Sequence, residues 1–349
     1  MKKIIFQQRK KLAVVASALV AVFMLTACGV DSKQSAPGKN TDSSPQAAAN
    51  YPAKGIEYVV PYAAGGGVDL VARAVADAVG KKWGQPISVV NRTGGGGAVG
   101  AQYALAQPAD GYTVLANVVS NTSMMAASYK NPAIKLEDQQ LVARIVKDAP
   151  AFTVKSDAQW NDFNSFSEWV KQNPEKLSWT TSGVAGYSTY VAAEWLHQLG
   201  VDVGKTRMIV TNGTADSLPL IAGGNALLAV HPVSEVATMV NSGHLKILAV
   251  SSTDRSPFFP NVPTTAEQGF KDLSAFWWTG LSMPKGTPEA IVKKWSDTLA
   301  ELAQDPEFQA KLKTMKMEPS YLNTADFNQF VTQEAAYYGN LATQLGIVK

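Results

Sequence analysis

The chain has few of the residues that hold metals or cross-links. Its 349 residues include one cysteine, Cys28, and three histidines, His197, His231 and His244. A single thiol excludes an intramolecular disulfide and any zinc site needing two thiolates. Three histidines leave little room for a His-rich centre, so no metal or cofactor is expected. Charged residues are also sparse, at 17%. The 31 Lys and Arg exceed the 28 Asp and Glu, but Lys2, Lys3, Arg9, Lys10 and Lys11 all precede residue 12, and no acid precedes Asp31. Beyond that leader 26 basic residues face 28 acidic ones. No basic run with interleaved aromatics is present to track a nucleic-acid backbone. With 46% hydrophobic residues, the composition excludes a disordered chain, a coiled coil and a collagen-like repeat.

The one long apolar run is N-terminal. Leu12 to Met24 is broken only by Ser17 and follows the basic start. It is short of the roughly 20 residues that span a bilayer comfortably, so residues 1–27 read as a targeting segment. Leu25-Thr26-Ala27-Cys28-Gly29 resembles the lipobox of bacterial lipoproteins, in which the cysteine takes a lipid and becomes the first residue. A plain secretion signal and a retained anchor are the alternatives. Residues 28–50, rich in Ser, Pro, Gly, Asn and Asp, read as a flexible tether. A body tethered outside the cytoplasm suits capture, sensing or envelope work.

From Tyr51 a βα rhythm sets in. Ile56 to Val60 reads as a strand, and Val68, Val71, Val75 and Val79 line one face of a helix. Further strands are expected at 87–91, 112–117, 141–146, 152–154, 177–181, 207–210, 227–230 and 245–250. Helices intervene, including 163–172, 187–199, 217–221 and one centred on Val236. Beyond Thr287 the character turns to long amphipathic helices, the last over about 325–345. The rhythm predicts largely parallel sheet covered on both faces, divided into two lobes.

Glycines punctuate the strand-to-helix turns at 65–67, 94–97 and 183–186. Helix starts present unpaired N–H groups and a partial positive charge, and glycine lets a ligand approach the backbone closely. Such turns suit carboxylate or phosphate oxygens without any Lys or Arg. Glycines serving only tight packing are the plainer alternative. Gly95 to Gly100 also satisfies G-x-G-x-x-G, yet no acid ends the next strand to hold a ribose, which argues against a dinucleotide. Asp69, in the first turn after the triple glycine, is read either as a cap or as an orienting group in the pocket. His231, directly before Pro232, either points into a cleft as a neutral hydrogen-bonding group or ends its strand. Phe276-Trp277-Trp278 is a core or cleft-wall signal.

No catalytic constellation is legible. Gly186-Tyr187-Ser188-Thr189-Tyr190 fails the G-x-S-x-G elbow at its last position, and no H-E-x-x-H occurs. The expectation is a binding protein and not an enzyme, with a sensor signalling to a membrane kinase or partner protein as the alternative and an envelope hydrolase as a remote third.

Several segments together carry a family pattern. Val60-Pro61-Tyr62-Ala63-Ala64-Gly65-Gly66-Gly67-Val68-Asp69, Asn91-Arg92-Thr93-Gly94-Gly95, Ala109-Asp110-Gly111-Tyr112-Thr113, Leu248 to Ser252 with Arg255, Asn261-Val262-Pro263-Thr264 and Pro284-Lys285-Gly286-Thr287-Pro288 lie in order along the body. The set resembles the substrate-binding receptors of tripartite tricarboxylate transporters, the TctC or Bug family. The resemblance implies an α/β periplasmic-binding-protein type II fold, with two interleaved α/β lobes around a ligand cleft. Residues 51–152 and 253–349 would form lobe I and 153–252 lobe II. It also implies a small organic acid as ligand, a permease with one large and one small membrane subunit as partner, and a place in the cell envelope, anchored at Cys28 on the periplasmic side or the outer surface.

By the same resemblance, Tyr62, Ala63, Ala64, Gly65, Gly66 and Asp69 of the first lobe and Thr181, Ser182, Gly183, Ala185, Gly186 and Thr189 of the second would grip the ligand's carboxylate. Asn117, Ser120 and Thr122 would line the same cleft, with His231 on the far wall. This chain departs from the pattern at Ala185-Gly186, where a hydroxyl donor is missing. It departs again at Thr189, where a histidine is frequent, and at Asn225 to Val230 with His231, where an acid is lost.

Overall fold

The β-branched and aromatic residues Ile56–Val60 form β1, with every residue but Glu57 buried. This is a computed structural model, and it describes residues 50–270, 273 and 276–347. The leader, nearly all of the tether and Cys28 lie outside the described residues.

After β1 the helix Gly67–Trp83 buries Val68, Val71, Val75 and Val79 and stops at Gly84, whose left-handed conformation (φ 66°) ends it. Strands β2 (Ile87–Asn91) and β3 (Thr113–Val118) both pair with β1 in parallel, with Tyr58 opposite Val89 on one side and Val114 on the other. The short helix Ala98–Leu105 connects them. Next come β4 (Gln139–Asp148) and, after a single residue, β5 (Pro150–Lys155).

With β5 the chain enters a second sheet. It holds β6 (Ser178–Thr181), β7 (Arg207–Val210), β8 (Leu228–Pro232) and β9 (Leu245–Val250) in the order β7-β6-β8-β5-β9. Helices Phe163–Gln172, Tyr187–Gln198, Thr214–Ala222 and Val233–Asn241 alternate with these strands. Asp162 caps the first of them by accepting from Ser165 N at 2.7 Å. The chain then returns. β10 (Trp277–Pro284) inserts between β3 and β4, and β11 (Glu318–Leu322) lies outside β4, giving β11-β4-β10-β3-β1-β2. Helices Glu289–Gln304 and Thr324–Gln344 pack against β4, so the C-terminal helices cover the first sheet.

Two features differ from the sequence reading. The sheets are not largely parallel: only β2-β1-β3 and β7-β6-β8 are. β10 runs antiparallel to both its neighbours, as does β5. Each of these strands carries the chain from one sheet into the other and so arrives in the opposite sense to the βα units it joins. Strands β10 and β11 themselves are not in the expected set. All eight residues of β10 are buried, so it lacks the in–out alternation that marks a half-exposed strand. Gly280 sits in its middle because a side chain there would collide with the Ala143 carbonyl of β4.

Candidate functional site

Four helix starts converge on one cleft between the sheets. Gly66, Gly67 and Val68 begin the helix after β1, and Tyr187 and Ser188 the one after β6. Gly213, Thr214 and Ala215 begin the helix after β7, and Pro232 ends β8 at the start of the next helix, whose first turn holds Glu235. Tyr62, Ala63, Ser120, Ser182, His231 and Trp277 complete the lining. Among these described lining residues none is Lys or Arg. The groups there that favour an anion are therefore backbone N–H groups at helix ends.

The lobes already touch here through directional bonds. Tyr187 N, on the second-sheet side, donates to Ser120 Oγ at 3.1 Å. Gly67 N, on the first-sheet side, donates to Glu235 Oε1 at 2.9 Å. At the rim Gly96 faces the Ser182 carbonyl so closely that a Cβ on Gly96 would stand 2.8 Å from that oxygen. Tyr62 Oη donates to the Gly96 carbonyl at 3.2 Å. The glycines at 94–97 thus serve close packing against Tyr62 and the opposite lobe, and do not line the cleft.

Behind the cleft wall lies a chain of polar groups. Thr214 Oγ1 donates to Glu235 Oε2 and lies 3.0 Å from His231 Nδ1. His231 Nε2 is 2.9 Å from Ser217 Oγ, which in turn meets Thr180 Oγ1. The Thr214 hydrogen goes to Glu235 and the Ser217 hydrogen to Thr180, so both hydroxyl oxygens face the ring as acceptors and a neutral His231 donates to only one of them. Burial pushes the His231 imidazole down to about 4, so it is uncharged at neutral pH. Burial pushes the Glu235 carboxyl upward, against the Thr214 and Gly67 hydrogen bonds. The Tyr187 hydroxyl is buried without a hydrogen-bond partner, the Trp277 backbone beside it lying outside bonding geometry.

The remaining expected residues are placed as follows. Asp69 is 2% exposed and does not line the cleft. It accepts from Arg73 Nε and Nη2, both at 2.9 Å, from Gly65 N at 2.9 Å and from Asn91 Nδ2 at 2.9 Å. Burial would raise its carboxyl, but the Arg73, Gly65 and Asn91 hydrogen bonds outweigh that and hold it below the usual range. Its geometry is that of a clamp on the glycine turn. Asn117 bonds Gln139 at 2.7 Å and Thr122 bonds the Val118 carbonyl at 2.7 Å, both away from the lining. Thr181 and Thr189 bond each other at 2.7 Å, and Thr189 bonds the Gly183 carbonyl at 2.6 Å, bracing the turn that presents Ser182. Gly186 must lack a side chain there, since a Cβ would stand 2.6 Å from Thr181 Oγ1. Ala185 packs in an apolar cluster with Val59 and Leu115, while Ala64 and Gly65 lie outside the lining.

Several lining residues escape the sequence reading. Gly213-Thr214 follows β7 just as the recognised turns follow their strands, so the same signal was present in Asn212-Gly213-Thr214. Glu235 carries no local signal; only the tertiary fold brings it onto the Gly67 amide. Trp277 lines the cleft while Trp278 is buried in the core and donates to Glu334 at 2.9 Å. The other histidines lie elsewhere: His197 is 3.2 Å from Gln344 on the surface, and His244 meets Ser242 Oγ at 2.9 Å.

Two α/β lobes, joined by crossing strands and offering helix starts to a shared cleft, have the architecture of a two-lobed solute-binding protein, and the family match makes the chain an extracytoplasmic receptor and not an enzyme. The chain belongs to the tripartite tricarboxylate transporter family receptors, whose family profile matches residues 71–347. It is similar to the periplasmic binding protein BugD, with 28% identity, a TM-score of 0.80, and 86% of this chain covering 100% of that one. The same fold is seen in MatC from Rhodopseudomonas palustris with bound malate, at 22% identity and a TM-score of 0.78, with 83% of this chain and 99% of that one covered. A further R. palustris protein, with adipate, matches at 24% identity and a TM-score of 0.79, with 85% and 98% covered.

Proposed function

We propose that this receptor captures a small organic acid by closing its two lobes on the acid's carboxylate and then delivers it to a tripartite permease. The observation that carries the reading is the convergence of four helix starts, from both lobes, on one cleft with no Lys or Arg among its described lining residues. A carboxylate there gains N–H partners from both sides only when the lobes are together, so the ligand favours the closed state. Malate and adipate, bound in two proteins of this fold, are both small carboxylates.

In this reading residues 51–152 with 253–349 move as one lobe and 153–252 as the other. Tyr62, Ala63, Gly66, Ser120, Ser182 and His231 belong to the ligand-facing set, joined by Tyr187, Thr214 and Trp277. The Cys28 lipobox would hold the body at a membrane surface, and the large and small membrane subunits of the permease would receive the ligand. The test is a thermal-shift screen with small mono-, di- and tricarboxylates, followed by calorimetry. Saturable 1:1 binding of one acid, with a raised Tm, is expected. A folded protein that none of the acids stabilises would refute the reading.

A further inference from the structure

The cleft holds a carboxylate of its own. Glu235 has a side chain only 8% exposed, lines the cleft, and receives the Gly67 N–H at the very helix start expected to receive a ligand oxygen. Its other oxygen takes the Thr214 hydroxyl. Both bonds are to neutral donors. His231 Nδ1 lies 3.7 Å away but is uncharged, and no Lys or Arg is among the described residues lining the cleft. Buried carboxylates are ordinarily paired with a cation; no Lys or Arg among the described residues pairs with this one. Each carboxylate oxygen accepts two hydrogen bonds, so both retain acceptor capacity.

Resting on the reading above, we propose that Glu235 is a specificity-determining residue that makes the cleft select a solute bearing one carboxylate and one ammonium group over a dicarboxylate. The ammonium would supply the missing counter-ion to Glu235. The carboxylate would take the remaining helix-start N–H groups and the unpartnered Tyr187 hydroxyl. A second carboxylate on the solute would meet like charge in a low-dielectric site, which disfavours it.

The test uses matched probes of four to six carbons: succinate against 4-aminobutanoate, glutarate against 5-aminopentanoate, and adipate against 6-aminohexanoate, with the ω-amide of each diacid as the neutral member. Calorimetry on the wild-type protein is expected to give at least one amino acid binding about tenfold or more tighter than its diacid. In Glu235→Gln, which keeps an acceptor for Gly67 and a group for Thr214, that ratio is expected to fall below about threefold or to invert. Circular dichroism and the melting temperature check that the variant is folded, and the wild-type comparison stands without it. Diacids that bind wild type at least as well as their amino-acid partners in every pair that binds overturn the inference and leave the carboxylate receptor standing, as does a ratio unchanged in a folded Glu235→Gln. Binding of no probe and no other small acid overturns the receptor reading and this inference with it.

Discussion

Adding one methyl group at Gly96 is expected to hold the lobes apart without unfolding either. Gly96 has φ 67° and ψ 27°, and a Cβ there would stand 2.8 Å from the Ser182 carbonyl oxygen, against ordinary contacts of 3.4 Å or more. Neither partner is the free end of a flexible side chain. Relief therefore requires the rim to open by roughly half an ångström or more, and overpacking of this kind costs about 1–3 kcal/mol. That cost falls on the closed state alone, so affinity for a cleft-bound acid should drop by about five- to 150-fold. The left-handed backbone adds a separate cost of about 1–2 kcal/mol to folding, whether open or closed. Gly224→Ala isolates that second cost, since Gly224 has φ 73° and nothing within 4 Å of its would-be Cβ. Calorimetry with the tightest acid from the screen should show weakened binding in Gly96→Ala and wild-type binding in Gly224→Ala, with both melting temperatures lowered alike. Equal affinities in both variants and wild type would refute closure at this rim.

Three further outcomes follow from the geometry. Ser120→Ala strands the Tyr187 N–H, a buried donor whose loss of partner costs about 1–3 kcal/mol, and calorimetry should show weaker ligand binding with little change in unfolding midpoint. Asp69→Ala should chiefly lower stability, by about 1–3 kcal/mol in denaturant unfolding, because it removes the clamp on Gly65, Arg73 and Asn91. A large loss of affinity at unchanged stability would instead put Asp69 in the site. Asp148, at the crossing between the sheets, is pushed up to about 7 by burial, against the Ser234 and Ala149 hydrogen bonds. A carboxyl raised in the folded state contributes stability that is full below pH 4 and is lost as pH rises through 7. Asp148→Asn should therefore gain relative to wild type between pH 5 and pH 8, by up to about 3 kcal/mol; an equal difference at both pH values would contradict this.

The elements whose burial follows a local period were legible, and those defined by distant partners were not. Arg207–Val210 and Leu245–Val250 stand where the sequence places them because each is a short run between turn signals. The helix at 163–172 is fixed by its Asp162 cap and amphipathic face. β10 was invisible for the opposite reason: every residue faces protein, and its place between β3 and β4 depends on strands more than 100 residues away in the chain. At the candidate site, the glycine turns at 65–67 and 183–186 announce themselves, since helix starts after strands leave a composition signature. Which way each side chain turns is decided by neighbours. Asp69 is drawn aside by Arg73, one helical turn along, while Glu235 reaches Gly67 across 168 residues of sequence.

The most direct test is a crystal structure of the protein with the tightest-binding small acid. A carboxylate is predicted in the cleft, within hydrogen-bond distance of N–H groups at helix starts from both sheets. A carboxylate held by one lobe alone, or bound outside the cleft, would contradict it.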